Sequence, residues 1–248
     1  MYTPPAHVED DPAILAAIMR AARLPILVSG GAGGIEATHL PLTHQPDPAP
    51  HGRLIGHLAR GNPQWRSLRD DAGRENTGRE STGRENTGRE STGREGANAM
   101  AIFQAHDFYV SPNWYETKRE TGKVVPTWNY EAVHAYGTIE IIEDATRLRA
   151  IVEALTDHHE ASQPKPWQVS DAPDDYIASQ LKGIVGVVMT ITRLIGKRKL
   201  SQNRPLADRQ GVIAGLTAAG DAPSAALMRS LNPPADQPAP EPSPPPRE

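Results

Sequence analysis

Residues 73–96 read GRENT-GREST-GRENT-GREST-GREG, a five-residue unit with a ten-residue superperiod. Only Gly, Arg, Glu, Asn, Thr and Ser occur in it. Stacked solenoids need an apolar residue in every repeat to share a core, and this unit has none. Glycine at every fifth position also disfavours a helix. The segment is therefore expected to be a solvated, disordered insertion in a turn of a fold built from the rest of the chain. The Pro-rich stretch 232–248 holds 8 of the 24 prolines and is expected to be disordered as well. About 207 of the 248 residues remain, enough for one large domain, residues 1–231, with a real core.

The flanking pattern is mostly period 2 in the middle and period 3.6 at the ends. Asp11-Pro12 reads as an N-cap followed by proline at the first helical position. Ile14, Leu15, Ile18, Met19 and Ala22 then share one face of a helix over 12–22. Leu24–Ser29 and Ile35–Leu42 read as strands joined by Gly30-Gly31-Ala32-Gly33-Gly34. A phosphate loop should open a helix. A strand follows here, so the glycines predict a hairpin turn. Residues 43–52 read as a polar loop, Arg53–Ala59 as a strand, and Pro63–Leu68 as one helical turn. Met100–Gln104 and Phe108–Ser111 look like a strand pair. Val133, Ala135, Ile139 and Ile141 alternate with polar residues in a half-buried strand. Helices are predicted at Thr146–His159 and Pro173–Leu181, a long strand at Ile184–Leu194, and helical, alanine-rich chain over 205–231. This order is α+β or a partly open barrel, not alternating βαβ units.

Several chemistries drop out. With no cysteine, thiol nucleophiles, Fe–S clusters and disulfides are excluded. No apolar run approaches 18 residues, so no transmembrane helix is expected. Met1-Tyr2-Thr3-Pro4-Pro5 has neither a basic n-region nor an apolar h-region, and a cytoplasmic address is the default. No GxSxG elbow or HExxH spacing occurs. His39, His57 and His134 fall on separate strands, and a metal or haem site would need them to converge. The net charge of −4 gives no global basic field for nucleic acid.

Four polar-aromatic clusters remain: Ala37-Thr38-His39-Leu40-Pro41, Gly56 to Trp65, Tyr109 to Tyr115, and Val125 to Tyr130. Seven of the twelve aromatics fall from Phe108 to Tyr136, and all but Phe108 are Trp or Tyr. Buried Trp and Tyr need polar partners. The clusters therefore suit either an aromatic core with turn chemistry or a planar cofactor with amide-like edges and a phosphate. A basic run from Arg193 to Arg209 contains Lys197, Arg198, Lys199 and Arg204. It suits a flavin phosphate, plain solvation, or DNA phosphates through Lys197, Arg198 and Arg204.

ATHLPL, GHLARxNPQW, YVSPxWYE, VPTWNYxxVHxxG and GKxKLSQNRxxADRxGVIxGL together resemble the PaiB-like family of FMN-binding negative transcriptional regulators. The resemblance spans about residues 1–230. It departs locally, with Gly61 where the family often has Ala and Arg198 where it often has an aromatic residue. It implies an FMN-binding split β-barrel, like flavin reductases and pyridoxamine-phosphate oxidases, with flanking helices and a helical C-terminal region. It also implies a homodimer with FMN near the subunit interface. On the matching motifs, Thr38, His39, His57, Arg60, Thr127, Trp128, Asn129, Tyr130, Lys199 and Gln202 are the cofactor-binding candidates. Trp128 and Tyr130 would flank the ring. Asn129, Thr127 and Thr38 would bond its edge, and Arg60 or Lys199 would neutralise the phosphate. A flavin-dependent oxidoreductase using NAD(P)H on the same barrel is the alternative implied by the fold.

Overall fold

The computed structural model describes residues 1–31, 34–75 and 99–231. From residue 76 on, the repeat lies outside the described residues, as does the Pro-rich stretch 232–248. The chain forms two compact units. The first comprises Met1–Pro4, Val8–His106 and Glu131–Arg198; the second comprises Pro5–His7, Asp107–Tyr130 and the chain from Lys199 on.

The first unit begins with the short strand β1 (Val8–Glu9) and helix α1 (Pro12–Ala21). Asp11 caps α1 through its carboxylate, which accepts from the backbone NH of Ala13 and Ile14. Leu15, Ile18 and Met19 bury its apolar stripe. The hairpin β2 (Ile26–Gly31) and β3 (Gly34–His39) follows, paired antiparallel from Ile26↔His39 to Gly31↔Gly34. Gly34 has φ 111°, a conformation that disfavours any side chain, so the glycine-rich turn is a hairpin as expected.

A strand comes next where the polar composition of residues 43–52 predicts a loop. β4 (Leu42–Gln45) pairs with β5 (Arg53–Ala59) in the register Leu42↔Gly56. At a sheet edge it needs few apolar residues, so its pattern is weak. Helix α2 (Gln64–Glu75) replaces the single turn expected and takes in the first three residues of the repeat. Strand β6 (Ala99–Val110) replaces the expected strand pair. Its buried residues are Ala99, Ala101 and Phe103, then Phe108 and Val110. The phase of alternation inverts between them, which makes one strand read as two.

β7 (Thr127–Ile142) and β8 (Ile184–Lys199) each run sixteen residues, well past their apolar segments. Helices α4 (Ala145–Glu160) and α5 (Asp174–Leu181) lie between them in sequence, and the short α3 (Glu116–Thr121) precedes β7. The sheet order is β3-β2-β6-β7-β8-β5-β4, with β1 paired to β8. The main core of the first unit joins α1, the sheet and α2 through Leu27, Leu54, Phe103, Val133, Val187 and Met189. A smaller core of Ile55, Ile142, Ile151 and Leu155 lies under α4.

The second unit has its own core of Phe108, Val110, Tyr115, Leu200, Val212, Leu216, Ala225 and Met228. Its C-terminal part is two helices, α6 (Leu206–Ala218) and α7 (Ala222–Ser230). They are broken at Gly220 (φ 80°) and restarted by the Asp221 cap. Asp208 is wholly buried and accepts from the backbone NH and hydroxyl of Thr117, both at 2.9 Å.

Candidate functional site

Two polar clusters hold most of the motif residues. In the first unit, the turn after β5 brings the Asn-Pro-Gln segment against β2 and β3. Asn62 Nδ2 donates to Thr38 Oγ1 at 2.9 Å, and Asn62 Oδ1 accepts from the Gln64 backbone NH at 3.0 Å. Gln64 Nε2 donates to Ser29 Oγ at 3.0 Å and to the Leu27 carbonyl at 3.3 Å. These bonds fix the orientation of the Gln64 amide, because a carbonyl needs the NH2 group. Among the described residues, Gln64 Oε1 and Glu36 Oε2 are buried with no hydrogen-bond partner. A buried acceptor of this kind costs about 1–3 kcal/mol until a donor meets it.

Beside this nest, Trp65 Nε1 donates to the Arg60 carbonyl at 2.9 Å. The guanidinium groups of Arg60, Arg66 and Arg69 stand 5.8, 4.6 and 4.9 Å from the Trp65 ring centre. Arg60 itself is tied down. It donates to the Lys182 carbonyl at 3.0 Å and to Glu143 at 2.7 Å. Its hydrogen bond to Glu143 holds that carboxyl below the usual range.

In the second unit, Lys199 Nζ donates to Thr127 Oγ1 and to the Trp128 carbonyl. Trp128 is 56% exposed and meets Tyr109, 44% exposed, edge to face at 6.0 Å. The alternation of β7 puts Thr127 and Asn129 opposite Trp128, and burial follows it. Asn129 is 0% exposed, and its Nδ2 donates to Ser201 Oγ at 3.0 Å and contacts Met228 Sδ at 3.7 Å. Ser201 sits at φ 63°, a left-handed conformation that costs a non-glycine residue energy.

Several expectations need correction. Asn129 has no surface to offer a flavin edge; its amide holds the second unit together. We expect Asn129→Ala to lower unfolding free energy by about 1–3 kcal/mol in a urea titration, because Ser201 loses its partner inside the core. Gln202 is spent in the same way: its Oε1 accepts from the Leu200 NH at 2.8 Å and from His7 Nδ1 at 3.2 Å. His57 shares the β5 face of Ile55, which α4 covers, and burial lowers its pKa. Burial also lowers the pKa of His134. His39 is exposed at the end of β3 and Tyr130 is half-buried on β7. Among the described residues, no group of three His, Asp or Glu side chains is placed to hold a metal.

The three residues of the basic run considered for DNA are engaged within the chain. Lys197 is 7% exposed and donates to the Tyr2 carbonyl at 3.0 Å. Arg198, half-buried, pairs with Glu131 at 2.7 Å and Glu9 at 3.6 Å. Arg204 lies half-buried over the Tyr115 ring at 4.9 Å. Strand alternation turns neighbouring charges to opposite sides, and carboxylates distant in sequence neutralise Arg198.

Asn62, Gln64 and Tyr109, each inside a motif quoted above, join these clusters, and Arg66 and Arg69 join them with only their residue type as a signal.

The family described as "Putative FMN-binding domain" matches residues 1–193. An uncharacterized protein of Emericella nidulans is 37% identical over 235 residues, covering 87% of this chain and 90% of that protein. The protease synthase and sporulation protein PAI 2 of Bacillus subtilis is 31% identical over 183 residues, covering 73% of this chain and 72% of that protein. Among solved structures, a conserved hypothetical protein of Mycobacterium tuberculosis superposes with a TM-score of 0.51 at 13% identity, covering 83% of this chain and 94% of that one. The architecture is the α+β split-barrel class expected from the sequence. No helix among the described residues is long and apolar enough to cross a membrane.

Proposed function

Because the chain belongs to the FMN-binding domain family, with FMN as its cofactor, we propose that it is a cytoplasmic, homodimeric, flavin-dependent negative regulator of transcription of the PaiB-like type. The cofactor supplies redox chemistry that no side chain offers. The chain's own residues fit the group. Lys199 of the second unit is a cation suited to the cofactor's phosphate. The observation that carries the reading is the exposed pair of Trp128 and Tyr109 in the second unit, held beside Lys199. Two large rings left in water at one place are a stacking surface for a flat, electron-poor ring system.

The test is a titration of FMN into apoprotein, followed by flavin fluorescence. Wild type binds. Trp128→Ala, which removes no core atoms, weakens binding by about 2- to 12-fold, the equivalent of an aromatic pair at 0.5–1.5 kcal/mol. An unchanged affinity takes Trp128 out of the site, and failure of wild type to bind overturns the cofactor assignment to these residues. Light scattering reads the dimer. Regulation is read in the cell: deleting the gene raises target transcripts, and an unaltered transcript profile refutes it. Oxidation of NAD(P)H by holoprotein at a steady turnover would favour the oxidoreductase instead.

A further inference from the structure

A hollow in the first unit lies away from both clusters. It measures about 550 Å³, in the range of small-molecule sites. Helix α1 lines it with Leu15, Ala16 and Met19, the loop after β4 with Pro46 and Pro50, and the end of β8 with Leu194. Its floor is Gly196, where a Cβ would stand 2.2 Å from Leu15 Cδ2 and 2.4 Å from the Glu9 carbonyl oxygen. β8 and α1 can approach this closely only because no side chain intervenes. Val8, which also lines the hollow, stays 53% exposed. An apolar residue facing a hollow gains from an apolar occupant.

The charge on its walls has one sign. Glu9 and Asp10 line it, and neither lysine nor arginine does. Glu9 is shared with Arg198 at 3.6 Å and accepts from the Asp11 NH at 3.0 Å. Asp10 is exposed and forms no ion pair among the described residues. His44, whose Nε2 donates to the His51 carbonyl at 2.9 Å, closes another wall beside His51.

We propose that this hollow binds a small organic cation with an apolar body, an amphiphilic amine, whose ammonium group meets Asp10 and whose hydrocarbon fills the space between α1 and β8. An anion of the same shape is repelled by Asp10 and Glu9. A neutral alcohol gains the apolar contacts alone. The site is independent of the flavin reading, since none of its residues belongs to either cluster above.

The experiment uses full-length protein and three matched probes, n-hexylamine, n-hexanol and hexanoate, by calorimetric titration at pH 7. Hexylamine is expected to bind at least tenfold more tightly than hexanoate, with hexanol between them. Asp10→Asn brings hexylamine down to the affinity of hexanol. Ala16→Trp fills the hollow and abolishes binding of all three, with far-UV circular dichroism as the control for folding. If that variant misfolds, Ala13→Phe, on the exposed turn of α1 that lines the same hollow, takes its place. Absence of hexylamine binding to wild type, equal affinity for amine and carboxylate, or unchanged binding by the filled variant overturns the proposal.

Discussion

Replacing Arg198 by Ala is expected to cost about 3–5 kcal/mol of stability, a large fraction of the total for a domain of this size. The guanidinium, its side chain 12% exposed, lies between Glu131 at 2.7 Å and Glu9 at 3.6 Å. Glu131 is itself buried. Removing the cation leaves a carboxylate stripped of water and without its partner, and that desolvation is the main cost. Two further variants separate this account from simple loss of packing. Arg198→Met keeps most of the volume and should remain nearly as damaging. The double variant Arg198→Met, Glu131→Leu removes both charges and should recover most of the loss, because a buried pair is often matched by apolar residues of similar size. Urea unfolding midpoints at constant slope measure all of these. If Arg198→Ala unfolds at the wild-type midpoint, the pair is screened by solvent and the arginine is free to meet a phosphate. The result thus also decides the fate of the basic run as a DNA contact. A residue that costs several kcal/mol to remove for reasons internal to the chain is not held in reserve for a ligand.

Replacing Gly137 by Ala should be comparably severe. A Cβ at this position would stand 2.0 Å from the carbonyl oxygen of Thr190 and 3.2 Å from the Cα of Ile191. Those atoms are backbone, on the neighbouring strand β8, so no rotamer change relieves the clash. The two central strands must move apart, weakening their hydrogen bonds and the contacts of Val133, Ala135, Val187 and Met189 in the core. We expect a loss of at least about 3 kcal/mol, the upper end of overpacking costs. Gly61 provides the contrast. Nothing lies within 4 Å of a Cβ there and its φ is ordinary, so Gly61→Ala should leave stability unchanged or slightly raised. Equal melting temperatures for the Gly137 and Gly61 variants would show that β7 and β8 tolerate separation.

Much of the fold was legible because it depends on near neighbours in the chain. The Asp11-Pro12 cap, the apolar stripe of α1, the glycine hairpin and the alternation of Val133 to Ile141 are local patterns. Local sterics and local burial enforce them. The misread elements are those whose evidence is not local. β4 forms because β5 offers it a ladder, and its own residues are indifferent. β6 is continuous although its buried face inverts near Ala105. The family resemblance identified the cofactor from ordered motifs, which no count of charges or periods would have done.

By itself the sequence determined where chain could enter a core, which chemistries lacked their residues, and which motifs surround a flavin. It could not say which member of each motif faces outward. Thr127, Trp128 and Asn129 are consecutive, yet Trp128 is exposed while Asn129 is wholly buried against Ser201. Lys197, Arg198 and Lys199 are equally basic, yet Arg198 is neutralised by Glu9 and Glu131. Those partners stand 189 and 67 positions away. A side chain's chemistry is set by its residue type, but its availability depends on what covers and pairs with it. Only the tertiary structure brings those distant groups together, and so only it decides which polar residues are spent on stability and which remain for a ligand.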